Sequence, residues 1–100
     1  MSQFDDISGM ETLRARIDAL DAALIALFAQ RRALIDRAAR IKAGSDLPAR
    51  IDWRVEQVVA NARRHAADAG LDPELFENIW RQLVEAAIAQ EDRHLRGDRP

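Results

Sequence analysis

The sequence predicts an all-α fold of three helices, one long and two shorter, with the long helices packed on one another in a dimer or larger assembly. Three observations carry this. Some 33 residues from Glu11 to Ala43 pass without a glycine or proline. Apolar residues recur along the chain at the three- and four-residue spacing of a helix face, and nowhere in the strict alternation of a strand. Each remaining segment is bounded by residues that start or stop helices. The expected helices run over about 9–43, 50–69 and 73–95, in a single domain covering 1–100.

The first helix is announced by Ser8-Gly9-Met10-Glu11, a capping-box pattern. Its apolar stripe is Leu13, Ile17, Leu20, Leu24, Leu27, Leu34, Ile35 and Ala38. At 1.5 Å per residue such a helix is roughly 50 Å long. That is longer than a compact domain of this size can accommodate, and two shorter helices cannot cover it. The stripe therefore calls for a second copy. Gly44-Ser45-Asp46-Leu47-Pro48 is expected to break the helix and form a short loop.

The second helix starts at about Ala49 or Asp52 and carries Val55, Val58, Val59, Ala62, Ala66 and Ala69 on its apolar face. Gly70 ends it. The third helix opens with Asp72 as N-cap and Pro73 at the first helical position. Leu71 and Phe76 occupy the two positions of a hydrophobic staple. Its stripe is Phe76, Ile79, Trp80, Leu83 and Ala87, continuing towards His94. Trp80 reads as packing, whereas Trp53 points away from the apolar face of its own helix. The tail from Gly97 to Pro100 is expected to fray.

Composition narrows the function. The formal charge is −2 and the isoelectric point about 5.6, so there is no basic footprint for nucleic acid. The chain has no cysteine, and its two histidines fall on different helices, which argues against a metal site. The acidic N-terminus lacks the pattern of a secretory signal, and no apolar run reaches membrane-spanning length. These features read as a cytoplasmic protein.

The anomaly is cationic. Lys42 is the single lysine against 14 arginines. At about 100° per residue, Arg31 and Lys42 both fall inside the apolar stripe of the first helix, about three turns apart. One account is that their stems lie along apolar surface and their heads reach water. The other is an internal pocket for a small anion, because inward-facing cations are costly unless something anionic meets them. Arg14 and Arg54 lie at the edges of their stripes. Gln90 and Glu91 lie about 50° to either side of the third helix's apolar axis, and periodicity alone does not choose between them.

Leu13-Arg14, Ile17-Asp18-x-Leu20-Asp21, Arg31-Arg32, Lys42, Pro48, Arg54 and the Gly70-Leu71-Asp72 entry together resemble the all-helical, type II class of chorismate mutases, over about residues 8–95. The resemblance implies an intertwined homodimer with shared active sites, and a small dianionic substrate, chorismate. It implies a pericyclic rearrangement to prephenate that uses no cofactor and no metal. By carry-over, Arg31 and Arg54 would bind substrate carboxylates, and Arg14 would reach in from the other subunit. Lys42 would donate to the ether oxygen that gains charge in the transition state. The loop from Gly44 to Pro48 would cover the entrance.

Three departures qualify the match. The second donor to the ether oxygen is commonly a glutamine in the family. Here an ungapped match places Glu91 there, with Gln90 beside it. A carboxyl group donates only when protonated, so activity is expected to fall as Glu91 ionises. The positions where the family often contacts the ring hydroxyl hold Val55 and Ile51, with Glu56 and Asp52 one step on.

Two alternatives follow. Isochorismate-pyruvate lyases resemble the same fold and keep the cations, and the Arg54-Val55 pair and Ile7-Ser8-Gly9-Met10 look somewhat more like that branch. A non-catalytic helical dimerisation or regulatory module would need no cations at all. Such a module should tolerate Lys42→Ala, or gain stability from it, if the buried charge is unpaired.

Overall fold

The computed structural model describes residues 3–97. It contains three helices: α1 (Met10–Ser45), α2 (Asp52–Asp68) and α3 (Pro73–Leu95). No strand occurs among the described residues. The chain divides into two compact units, Met1–Ala33 and Leu34–Pro100. No described helix is long and apolar enough to cross a membrane.

In the N-terminal unit a turn precedes α1, closed by the Ile7 N–H donating to the Phe4 carbonyl at 3.0 Å. The Arg16 guanidinium lies 5.4 Å from the centre of the Phe4 ring, a cation–π contact that ties the turn to the helix. The Gly9 carbonyl accepts from the Leu13 N–H at 3.0 Å, which makes Gly9 the cap residue. The expected Ser8 cap is thus one residue early. Ile17, Leu20, Leu24 and Leu27 stand 49%, 62%, 46% and 58% exposed, so this stretch of the predicted stripe is open among the described residues, while Leu13 is half-buried.

In the C-terminal unit α2 lies against α3. Val59, Ala62 and Ala66 of α2 and Val84 of α3 are buried. Small residues at these positions let the two backbones approach closely. Trp80 is half-buried, its ring centre 6.3 Å from that of Phe76, and Trp53 is exposed as its position predicts. The buried position in the last turns of α1 is Ala39, whereas Leu34, expected in the stripe, is exposed. Ile35 and Ala38, also expected in the stripe, are half-buried.

The end of α1 also differs from expectation. The helix passes through Gly44 and stops at Ser45. Asp46 takes the left-handed conformation, at φ 56°, and the Leu47 N–H bonds the Lys42 carbonyl at 3.0 Å. This is the Schellman closure, with Asp46 in the place glycine usually fills. The same closure recurs at the end of α2, where Gly70 sits at φ 76° and the Leu71 N–H bonds the Ala66 carbonyl at 2.8 Å. The α3 cap is as predicted: the Asp72 side chain accepts from the Glu74 N–H at 3.0 Å, and Pro73 follows it.

Ion pairs lace the outer side of the hairpin. Arg50 makes a two-pronged contact with Glu85, at 3.0 and 2.5 Å. Arg81 reaches Glu56 across the helices at 3.2 and 3.0 Å and Glu77 one turn back at 3.0 Å. Arg63 donates to Glu77 at 2.6 Å. These hydrogen bonds, and the attraction of opposite charge, hold the Glu56, Glu77 and Glu85 carboxyls below the usual carboxylate range and raise Arg50 and Arg81.

Candidate active site

The Schellman closure places Lys42 in the last turn of α1, where a cation also complements the helix dipole. Its Nζ donates to Glu91 Oε2 at 2.6 Å and to the carbonyl of buried Ala49 at 2.8 Å. The two side chains are 17% and 7% exposed, so this is an ion pair largely withdrawn from water. An ammonium group has three N–H donors. Two are engaged here, and the third meets no partner among the described residues.

This pairing settles an ambiguity of the sequence. Glu91 points inward and Gln90 does not. The information was present in α3: Val84, Ala87 and Glu91 follow the i, i+3, i+7 spacing of one face. Counting Val84 widens the stripe to that side, so that Glu91 falls between Ala87 and Val84. The pairing also removes the condition, an unpaired buried charge, under which a packing module would tolerate Lys42→Ala.

Gln90 lies to the side of the pair. Its Nε2 donates to Asp36 Oδ1 at 2.5 Å, and His94 Nε2 sits 2.8 Å from the same oxygen. Asp36 and His94 were not legible as site residues. Both are polar, half-exposed side chains 58 residues apart in sequence, which alone read as solvated surface.

The other candidates are placed as follows. Arg54 is exposed on the first turn of α2 and donates through Nη1 to Gln57 Oε1 at 2.6 Å. Arg14 is exposed and Arg31 half-buried, both on α1 within the N-terminal unit. Val55 is half-buried, and Glu56 is exposed with its carboxylate on Arg81. No group of His, Cys, Asp and Glu suited to a metal ion occurs among the described residues.

What this arrangement can do is limited and specific. It holds no nucleophile beside a base. It holds an oriented ammonium in a low-dielectric setting with a donor to spare, next to a carboxyl group. Such a group stabilises negative charge developing on a bound oxygen, and does so without reorganising at the moment of reaction.

Residues 13–92 match the family model "Chorismate mutase type II". Among curated proteins, the chain is 35% identical to a 4-amino-4-deoxychorismate mutase of Streptomyces pristinaespiralis, over 83% of this chain and 64% of that protein. It is 35% identical to a 4-amino-4-deoxychorismate mutase of Streptomyces venezuelae, over 83% of this chain and 81% of the relative. It is 28% identical to a T-protein of Enterobacter agglomerans, over 86% of this chain. The chain thus spans less than two thirds of the first relative and 23% of the T-protein. No solved structure gives a significant match.

Proposed function

We propose that this chain, which belongs to the type II chorismate mutase family, catalyses the rearrangement of chorismate to prephenate as a homodimer. The Lys42 ammonium carries the reading. It is withdrawn from water, fixed by the Ala49 carbonyl and Glu91, and retains one donor. In the proposed mechanism that donor meets the ether oxygen of the substrate as its carbon–oxygen bond breaks. The interaction strengthens as charge develops, so it stabilises the transition state more than the substrate. A protonated Glu91 would supply a second donor to the same oxygen. Arg31 and Arg54 would take the substrate carboxylates, with Arg14 contributed by the second subunit. Fixing both carboxylates holds the enolpyruvyl arm over the ring and removes rotational freedom before reaction.

The exposed stripe Ile17, Leu20, Leu24 and Leu27 supports the homodimer, because an isolated chain leaves it in water.

A second substrate is favoured by a specific observation. Two relatives at 35% identity are named for 4-amino-4-deoxychorismate, which differs from chorismate at the ring substituent. In this chain Val55 and Ile51 stand where the family often contacts that substituent, and Glu56 is taken up by Arg81. The ring position therefore lacks the carboxylate that would select a hydroxyl.

Turnover of chorismate, 4-amino-4-deoxychorismate and isochorismate by the purified protein, followed from about pH 5 to 8, tests the proposal. Prephenate from chorismate supports the mutase. Preference for the amino substrate keeps the chemistry and changes the substrate. Salicylate and pyruvate from isochorismate would replace it with a lyase, and silence on all three would leave a helical module.

A further inference from the structure

Asp36, Ala39 and Lys42 follow one another at three-residue intervals on α1, a fan of about 120° centred on Ala39. Ala39 is 1% exposed, so the centre of that fan is the inward face and its two polar members flank it. Both flanks reach the same stretch of α3. Lys42 bonds Glu91, while Asp36 takes Gln90 and His94 on a single carboxylate oxygen. Gln90 and His94 are one turn apart and bracket Glu91 in sequence. The last turns of α3 are thereby held to α1 at two places on either side of a small buried alanine. Neither bridge fixes the rotation of α3 about its own axis by itself. Two bridges, with different angular positions on each helix, do.

We propose that Asp36 is a positioning residue for Glu91 and Lys42: by holding Gln90 and His94, it sets the rotation of α3 that brings the Glu91 carboxyl onto the Lys42 ammonium. The kinetic part rests on the mutase reading above; the geometric part does not. The Asp36 carboxylate touches no reacting atom. It acts through Glu91, and loss of the bridge lets the end of α3 turn and takes Glu91 off its mark. Misplacement of a reacting group by an ångström costs up to about 100-fold in rate.

The chain supplies its own probe, because Lys42 is its single lysine. Protein grown with 15N-labelled lysine at the side-chain nitrogen gives one ammonium resonance, from Lys42 alone. Asp36→Leu removes both bonds, and the half-exposed Gln90 and His94 ends can turn to water, so the protein is expected to stay folded. Its Lys42 resonance should shift, and its ammonium protons should exchange faster with solvent. Glu56→Gln removes an exposed pair of the outer hairpin and should leave the resonance in place. Asp36→Asn keeps an oxygen to accept from Gln90 and should restore most of the wild-type signal; it also stands in if the leucine variant fails to fold.

In turnover, Asp36→Leu should lower kcat by about 10- to 100-fold with KM changed less than about twofold, the pattern of a loss confined to the transition state. In a Glu91→Ala background the same change should cost less than about threefold, because there is no longer a carboxyl to place. A Lys42 resonance unmoved by Asp36→Leu overturns the positioning role whatever the kinetics. An equal loss of kcat with and without Glu91 overturns it as well. Absence of turnover in the wild-type protein overturns the mutase reading instead, and the resonance then decides the geometric claim alone.

Discussion

The two compact units treat their apolar surface in opposite ways. Up to residue 33 the apolar side chains of α1 form a stripe that is largely exposed among the described residues, Leu20 and Leu27 by more than half. From residue 34 onward a core of small apolar groups is buried, Ala39, Ala49, Val59, Ala62, Ala66 and Val84, while Leu34, Ile41, Trp53 and Leu75 stay more than half exposed. Polar bridges from Lys42 and Asp36 carry the end of α1 onto α3. The difference teaches where each unit's stability resides. The C-terminal unit holds most of its own, whereas the N-terminal unit depends on whatever covers its stripe. Changes in the first should be indifferent to protein concentration, and changes in the second should not.

The largest expected effect comes from breaking the buried pair. Lys42→Ala should lower turnover by about 10²- to 10³-fold or more, the range for loss of a donor to developing charge. It should also destabilise the fold by about 3–5 kcal/mol, because it leaves the Glu91 carboxylate buried without its partner. A loss of stability therefore no longer separates an enzyme from a packing module, as it would have for an unpaired lysine. The double change Lys42→Met with Glu91→Leu does separate them. Replacing a buried pair by apolar groups of similar size is often neutral or stabilising. Denaturant unfolding should thus return to near the wild-type midpoint while turnover stays absent. A stable double variant that still turns over substrate would remove Lys42 from the mechanism.

The second effect sharpens the contrast. Leu24→Asp places a charge in the middle of the stripe. If a second copy covers that face, sedimentation should show the dimer dissociation constant raised at least about 100-fold, or about 2.7 kcal/mol. The melting temperature should also rise with concentration more steeply than for the native protein. A wild-type chain that sediments as a monomer at all concentrations would break the comparison itself.

A smaller change is expected from Glu91→Gln. Glutamine offers its N–H at any pH, whereas a carboxyl donates only with its proton. If this position donates in the transition state, turnover of the glutamine variant relative to the wild type should rise with pH, because only the wild type needs a carboxyl proton. A profile identical in the two proteins would deny Glu91 a donor role.

Much of this was legible in the chain. Pro73 after Asp72, and Gly70 before them, mark the α2–α3 turn, since cap chemistry is local and residue-specific. The end of α1 was misjudged for the complementary reason. Gly44 reads as a breaker, but a single glycine costs a helix only about 1 kcal/mol, and the helix runs on to its closure at Asp46 and Leu47. The stripe takes in Leu34 and leaves out Ala39 because size reads as burial in a sequence, whereas the structure exposes Leu34 and buries Ala39. The cationic cluster was visible as single anomalies. What periodicity could not supply was pairing. Glu91 meeting Lys42 across 49 residues, and Asp36 collecting Gln90 and His94, are properties of how helices dock, and no window along one helix contains them.

The smallest effect belongs to the outer face of the α2–α3 hairpin, where the C-terminal unit carries charge in place of apolar cover. Glu56, Glu77 and Glu85 have their carboxyls held below the ordinary value of 4.5, first by hydrogen bonds from Arg81, Arg63 and Arg50 and then by their charge. Because the folded value lies below the unfolded one, the folded state binds these protons less readily. The contribution to stability is complete above about pH 4.5, and it is lost as pH falls through the lower folded values. All three groups lie at the surface, where solvent and salt screen them, so the effect should be modest. The unfolding midpoint in denaturant should fall between pH 7 and pH 3. It should fall less in Arg81→Gln, which releases Glu56 and one side of Glu77, and less again in 1 M salt. An acid decline of equal depth in Arg81→Gln would move its source to other carboxylates.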